Sequence, residues 1–144
     1  MLIGEYKHNL DPKKRLSIPS KFRKELGGGA VLSRGLDNCL FLFPSKYWAS
    51  FAEMLGGLSI TKKDMRAYAR LFLSGAMEVA FDSLGRILIP DHLKKYADLK
   101  KITVITGAFN RLEIWDEERW NSYKANFEKD SDNIAEKLGV LGII

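Results

Sequence analysis

The sequence has few of the residues on which most metal sites and many catalytic sites depend. Its 144 residues include one cysteine and two histidines, so no internal disulfide can form and no usual metal-ligand spacing is present. Neither His8 nor His92 has an acidic residue and a nucleophile as local company, and P-loop and Rossmann glycine patterns are absent. The sequence therefore predicts that the protein is not an enzyme and uses no cofactor or metal. Cys39 begins an apolar run and is predicted to be a buried thiol.

Long apolar runs are also missing. No stretch approaches the roughly 18 apolar residues of a membrane span. The first ten residues lack the basic region and apolar stretch of a secretory signal. We therefore expect a cytoplasmic protein without a membrane partner. Hydrophobic residues make up 46% of the sequence, enough for one compact domain or two small halves that share a core.

Proline is scarce, with four residues, and two of them mark a repeat. Residues 11–19 read Asp-Pro-Lys-Lys-Arg-Leu-Ser-Ile-Pro, and residues 82–90 read Asp-Ser-Leu-Gly-Arg-Ile-Leu-Ile-Pro. Asp82 follows Asp11 by 71 residues, and after one inserted residue the similarity continues to Trp48 and Trp120. The chain is a tandem repeat, and its two copies are expected to cover each other's apolar faces.

Each copy predicts the same succession of elements. A short strand, the Asp-x-x-x-Arg turn and a second strand suggest a β-hairpin. Pro19 and Pro90 stand where short helices begin, and two more strands and a closing helix follow. The predicted helices are 19–26, 45–55, 61–73, 90–97 and 116–129, and the later strands are 30–33, 39–43, 102–106 and 112–115. The tail, 132–144, is expected to be partly helical and then apolar.

These elements predict four parts. They are a first repeat with its closing helix (1–56), an inter-repeat helix (57–72), a second repeat with its closing helix (73–130) and a C-terminal tail (131–144).

The positive charge is concentrated around the repeated motif. The net charge is +5, and residues 1–36 hold eight lysines and arginines against three acidic residues. Residues 61–111 hold ten against five, whereas residues 112–144 are acidic. A basic surface around a duplicated element favours a polyanionic partner, most often nucleic acid. A merely solvated basic face is the alternative.

The motif itself has a physical logic. An aspartate can accept hydrogen bonds from backbone N–H groups two or three residues on, and Gly85 suits a left-handed position that closes the turn. Lys14 occupies the matching position in the first copy, so either this lysine is strained or the first turn differs in shape.

Arg15 and Arg86 have two possible roles. They pair with aspartate to stiffen the turn, or the aspartate orients them toward a phosphate or a guanine edge. Duplication in basic surroundings favours the second. The candidate DNA-binding residues are Asp11, Lys13, Lys14, Arg15, Asp82 and Arg86. Further cations beside the turns in sequence are plausible phosphate contacts: Lys21, Arg23, Lys24, Lys94 and Lys95.

The order of several motifs resembles the MraZ family of bacterial transcriptional regulators across almost the whole chain. They are Gly4, the two Asp-x-x-x-Arg motifs, 34–40 (Arg-Gly-Leu-Asp-Asn-Cys-Leu), Phe43-Pro44, Gly107 and 112–115 (Leu-Glu-Ile-Trp). The resemblance implies an α+β fold: a pseudo-dimeric, swapped-hairpin AbrB-like β-barrel built from two tandem β-α-β repeats and flanked by helices. By the same resemblance, Asp11, Arg15, Asp82 and Arg86 are family motif residues.

The resemblance also implies a function. The protein would be a sequence-specific regulator that binds double-stranded DNA at direct repeats upstream of its own division and cell-wall gene cluster, chiefly as a repressor. It would form a homo-oligomer, a closed ring, and associate with the nucleoid. An AbrB-like antitoxin or another protein-interaction module is the alternative, to which the acidic segment 116–118 and the apolar tail would contribute.

Overall fold

A computed structural model describes residues 1–144. It contains eight strands and six helices, and each repeat has the order β-β-α-β-β-α followed by one more helix. In chain order they are β1 (Leu2–Asn9), β2 (Arg15–Ser17), α1 (Ser20–Leu26), β3 (Ala30–Arg34), β4 (Leu40–Pro44), α2 (Ser45–Gly56), α3 (Lys63–Leu73), β5 (Met77–Val79), β6 (Arg86–Leu88), α4 (Asp91–Tyr96), β7 (Ile102–Phe109), β8 (Leu112–Asp116), α5 (Glu117–Lys129) and α6 (Ser131–Val140).

The two repeats exchange strands. A six-stranded antiparallel sheet has the order β1-β7-β8-β4-β3-β5, and β2 pairs with β6 in a separate two-stranded sheet. The first strand of each repeat therefore pairs with a strand of the other repeat, β1 with β7 and β5 with β3. An approximate twofold axis lies between β4 and β8 and between β2 and β6. The predicted α+β class, the two interlocked tandem repeats and the flanking helices are confirmed. The β-barrel that the resemblance implies is not closed, because backbone hydrogen bonds join the strands into two open sheets.

The strands on either side of each motif do not pair as a local hairpin, and that expectation is wrong. β2 pairs with β6 instead, with Leu16 opposite Ile87. Both side chains are completely buried. A three-residue strand has a single inward side chain, and the exchange places it against its own counterpart, where burial stabilises both.

Two apolar clusters lie on opposite faces of the six-stranded sheet. One contains Leu16, Ile87 and the buried faces of α1 and α4. The other is rich in aromatic side chains from β4, β8, α2, α3 and α5, and it includes Cys39. Cys39 is buried as predicted, and its burial raises the pKa of the thiol. The β2–β6 pair, which follows the 11–15 and 82–86 turns, packs on the sheet through the first cluster.

The helices begin largely where the sequence indicates. Pro19, Pro44 and Pro90 directly precede α1, α2 and α4, and the Asp116 side chain accepts a hydrogen bond from Glu118 N at the start of α5. β7 is longer than predicted because all eight residues of β1 pair with it. None of the helices combines the length and apolar character needed to cross a bilayer.

Candidate nucleic-acid interface

The first loop, residues 11–15, is held by its aspartate. Asp11 Oδ1 accepts hydrogen bonds from the backbone N–H groups of Lys13 at 2.9 Å and Arg15 at 2.8 Å. Asp11 Oδ2 accepts a third from Arg15 Nε at 2.8 Å. One carboxylate therefore fixes both the turn and the guanidinium that follows it.

The second loop, residues 82–86, repeats this geometry. Asp82 Oδ1 accepts from the backbone N–H groups of Leu84 and Arg86, both at 2.9 Å, and Oδ2 accepts from Arg86 Nε at 2.8 Å. In both loops the N–H of the arginine is the leading cause of a lowered aspartate pKa. The carboxylates are thereby kept ionised, as an arginine partner requires.

Lys14 adopts the same left-handed backbone as Gly85, with φ of 62° against 75°. Of the two possibilities that the sequence leaves open, strain or a different shape, strain is therefore the one observed. For a residue with a side chain this conformation costs roughly 1–2 kcal/mol. The Lys14 ammonium donates to Asp91 at the start of α4. This hydrogen bond also lowers the pKa of Asp91.

The two loops lie side by side, each docked on the other repeat. Ile18 N donates to Gly85 O at 3.1 Å, and Ile89 N donates to Lys14 O at 2.8 Å. Arg86 Nη1 lies 3.8 Å from Asp11 Oδ2, so the first aspartate serves both arginines. The structure thus brings all six candidate residues into one cluster at the β2–β6 sheet.

The two arginines are accessible. The side chains of Arg15 and Arg86 are 35% and 24% exposed. Each donates only its Nε within the protein, so the Nη groups of both guanidiniums remain free to donate to a ligand. Lys13 is exposed at the tip of the first loop. The arrangement can present two oriented forks and nearby ammonium groups to an anion.

Two residues in the cluster could not be placed from sequence. Asp91 reaches the first loop from the other repeat. Arg23, which precedes the second loop by about sixty residues, packs on Gly85: an ideal Cβ there would lie 1.2 Å from Arg23 Nη1. No local signal could have found these contacts, because they depend on the strand exchange. Lys21, in contrast, lies over the rings of Tyr6 and Phe22, 5.5 Å from each centroid.

Both repeats match one family model. Residues 1–71 and 72–140 each match the family described as "MraZ protein, putative antitoxin-like". The chain belongs to the MraZ family. The family resemblance predicted from the motifs is confirmed.

Full-length relatives agree with this assignment. Proteins named transcriptional regulator MraZ are 49% identical over 144 residues in Clostridium tetani and 50% over 143 residues in Caldicellulosiruptor saccharolyticus. A third, from Halothermothrix orenii, is 48% identical over 143 residues. Each alignment covers 99% of this chain and 100% of the relative. The MraZ family is therefore one of transcriptional regulators and not of enzymes.

Proposed function

We propose that this MraZ protein is a DNA-binding transcriptional regulator that grips duplex DNA with its paired loops. The observation that carries the proposal is the pair of partly exposed arginines, Arg15 and Arg86, on neighbouring loops. Their guanidiniums donate hydrogen bonds within the protein only through Nε. A carboxylate already orients each guanidinium group, so the arginine side chains lose little conformational entropy on binding. Such a fork fits a phosphate or the major-groove edge of guanine.

The lysines add a contribution that does not depend on sequence. Lys13 and Lys14 flank Arg15 on the first loop, and phosphate contacts by such residues set register and orientation. The proposed interface consists of Asp11, Lys13, Lys14, Arg15, Asp82 and Arg86. The aspartates orient the arginines, and the four cations contact DNA.

One chain offers only two loops, so tight binding calls for assembly. We propose a homo-oligomeric ring that engages direct repeats upstream of its own gene cluster, because linked sites raise the effective concentration at each further repeat. Exposed apolar residues on α6 and the tail support self-association: Ile134, Val140, Leu141, Ile143 and Ile144. Occupied repeats that overlap the promoter would repress the division and cell-wall genes and place the protein at the nucleoid.

Salt dependence tests the DNA contact. Affinity for duplexes from upstream of the gene, with one or several repeats, is measured across salt concentrations for the parent, Arg15→Ala and Arg86→Ala. The logarithm of the association constant falls linearly with the logarithm of the salt concentration, and this is the log–log slope. Loss of a phosphate-contacting arginine should flatten it by about one. Lys129→Ala, an exposed cation at the end of α5, is the control and should leave the slope unchanged. A parental slope in both arginine variants would place the DNA contact elsewhere.

A protein-interaction module is the second candidate, favoured by the family's antitoxin-like description and the exposed apolar tail. The acidic segment contributes less to it, because Asp116 caps α5 and Glu117 pairs with Lys7 at 2.7 Å. Purification with and without nuclease, followed by a high-salt wash, separates the two. If nucleic acid co-purifies and is lost at high salt, the protein is a DNA-binding regulator. If a stoichiometric protein partner remains bound after the wash, the protein is an interaction module.

A further inference from the structure

We propose that Arg23 is a DNA-contacting residue of the second loop, supplied to that loop by the other repeat. The inference rests on the proposed function and adds a contact to it. It also makes the second binding loop a composite of both halves of the chain.

The position of Arg23 is the first observation. Arg23 lies on α1 and its side chain is half-buried. An ideal Cβ on Gly85 would lie 1.2 Å from Arg23 Nη1 and 2.3 Å from its Cζ. The guanidinium therefore occupies the volume that a side chain at position 85 would take. It stands directly beside the residue that precedes Arg86.

The second observation is that the second loop lacks the lysines of the first. Where the first loop has Pro12-Lys13-Lys14, the second has Ser83-Leu84-Gly85 and no lysine. At the repeat spacing, Lys14 corresponds to Gly85. In the first loop the cation at this position belongs to the loop itself, and in the second Arg23 brings it from α1.

The third observation is that Arg23 has no partner of its own. Its side chain makes no hydrogen bond or ion pair within the protein, whereas Lys14 pairs with Asp91 and Arg86 with Asp82. A guanidinium that lies against the residue preceding Arg86, with no carboxylate of its own, is suited to an external anion with several acceptor oxygens. A DNA phosphate meets that description.

The test extends the salt series to Arg23→Ala and Arg23→Lys, again with Lys129→Ala as the control. Lys129 is an exposed cation at the end of α5 that makes no ion pair. Arg23→Ala should flatten the log–log slope by about one, Arg23→Lys should keep the slope because it keeps the charge, and Lys129→Ala should resemble the parent. Thermal unfolding of each variant monitors the fold.

Gly85→Asn provides a second route that leaves Arg23 in the chain. Asparagine tolerates the left-handed backbone, and its side chain displaces the guanidinium from its seat. This variant should lose the same contact, and adding Arg23→Ala to it should cause no further loss.

The outcomes separate the two proposals. A parental slope for Arg23→Ala, with flattened slopes for Arg15→Ala and Arg86→Ala, would mean that Arg23 merely covers Gly85. Parental slopes in all three would instead overturn the proposed function. If Arg23→Ala fails to fold, Gly85→Asn decides: a parental slope there refutes the role of Arg23, and a flattened slope supports it.

Discussion

The first and second loops share one backbone and differ in the charges around it. Asp11 and Asp82 make the same three hydrogen bonds within 0.1 Å of each other. The first loop carries Lys13 and Lys14, whereas the second exposes Leu84, 67% accessible, and takes its extra cation from α1. The carboxylate sets the shape of the loop, and the charge can come from either repeat.

This difference gives the paired loops a direction. A strict twofold pair would present the same groups in both orientations and would suit an inverted DNA repeat. Here a lysine-rich loop lies beside a loop with an apolar tip. An asymmetric pair of this kind is compatible with direct repeats, in which every site is read in the same sense.

The largest expected effect comes from the strand pair that joins the loops. Ile87→Ala should reduce the free energy of unfolding by about 2–5 kcal/mol, because the side chain is completely buried and opposite Leu16. Urea unfolding measures the loss, and Leu16→Ala should show a similar one. In DNA titrations either variant should weaken the contributions of Arg15 and Arg86 together. A selective loss at one loop would show that the loops are independent.

The next effect distinguishes the two aspartates. Asp11 lies near both arginines and Asp82 holds only Arg86, so Asp11→Asn should lower the preference for repeat DNA over unrelated DNA more than Asp82→Asn. We expect a decrease on the order of tenfold, as for the loss of a charge-assisted positioning contact. Affinity for unrelated DNA should not fall, because a negative charge is removed. Competition titrations measure both quantities. Equal losses of preference for repeat DNA in the two variants would show that the contact between Asp11 and Arg86 does not contribute to DNA recognition.

Much of this comparison could be read from the sequence. The duplicated motif, the helix starts after Pro19 and Pro90, and the aspartate-bound turns follow from local rules of backbone geometry. The partners of the strands do not, because alternating apolar residues indicate a strand without identifying its neighbour. Its position in the sequence therefore puts Arg23 beside the first loop, whereas the strand exchange places it at the second.

The sequence does not predict the backbone conformation of Lys14, because the strain energy and the energy of the compensating contacts are similar. Its left-handed backbone costs roughly 1–2 kcal/mol, comparable to what an ion pair and a backbone hydrogen bond return. The ion-pair partner, Asp91, is 77 residues away. Only the fold shows that this contact exists.

A smaller effect is expected at the two left-handed positions. Lys14→Gly relieves strain but loses the ion pair with Asp91, so unfolding free energy should change by less than about 1 kcal/mol while the DNA salt slope flattens by about one. Gly85→Ala should destabilise by about 1 kcal/mol because φ is 75°. Denaturant unfolding and DNA titration measure each variant. A large stabilisation by Lys14→Gly would show that the Asp91 contact contributes nothing.

The smallest effect concerns acid. The pKa values of Asp11 and Asp82 are lowered, chiefly by the backbone N–H groups of Arg15 and Arg86. A carboxyl whose pKa is lower in the folded state stabilises the protein above its unfolded pKa, near 4, and loses that contribution as pH falls through the lower folded value. Asp11→Asn and Asp82→Asn should each make thermal stability less sensitive to pH below about 4, and by equal amounts, since the two turns are geometrically alike. Unequal changes would show that the surrounding charges, which differ between the loops, outweigh the shared hydrogen bonds.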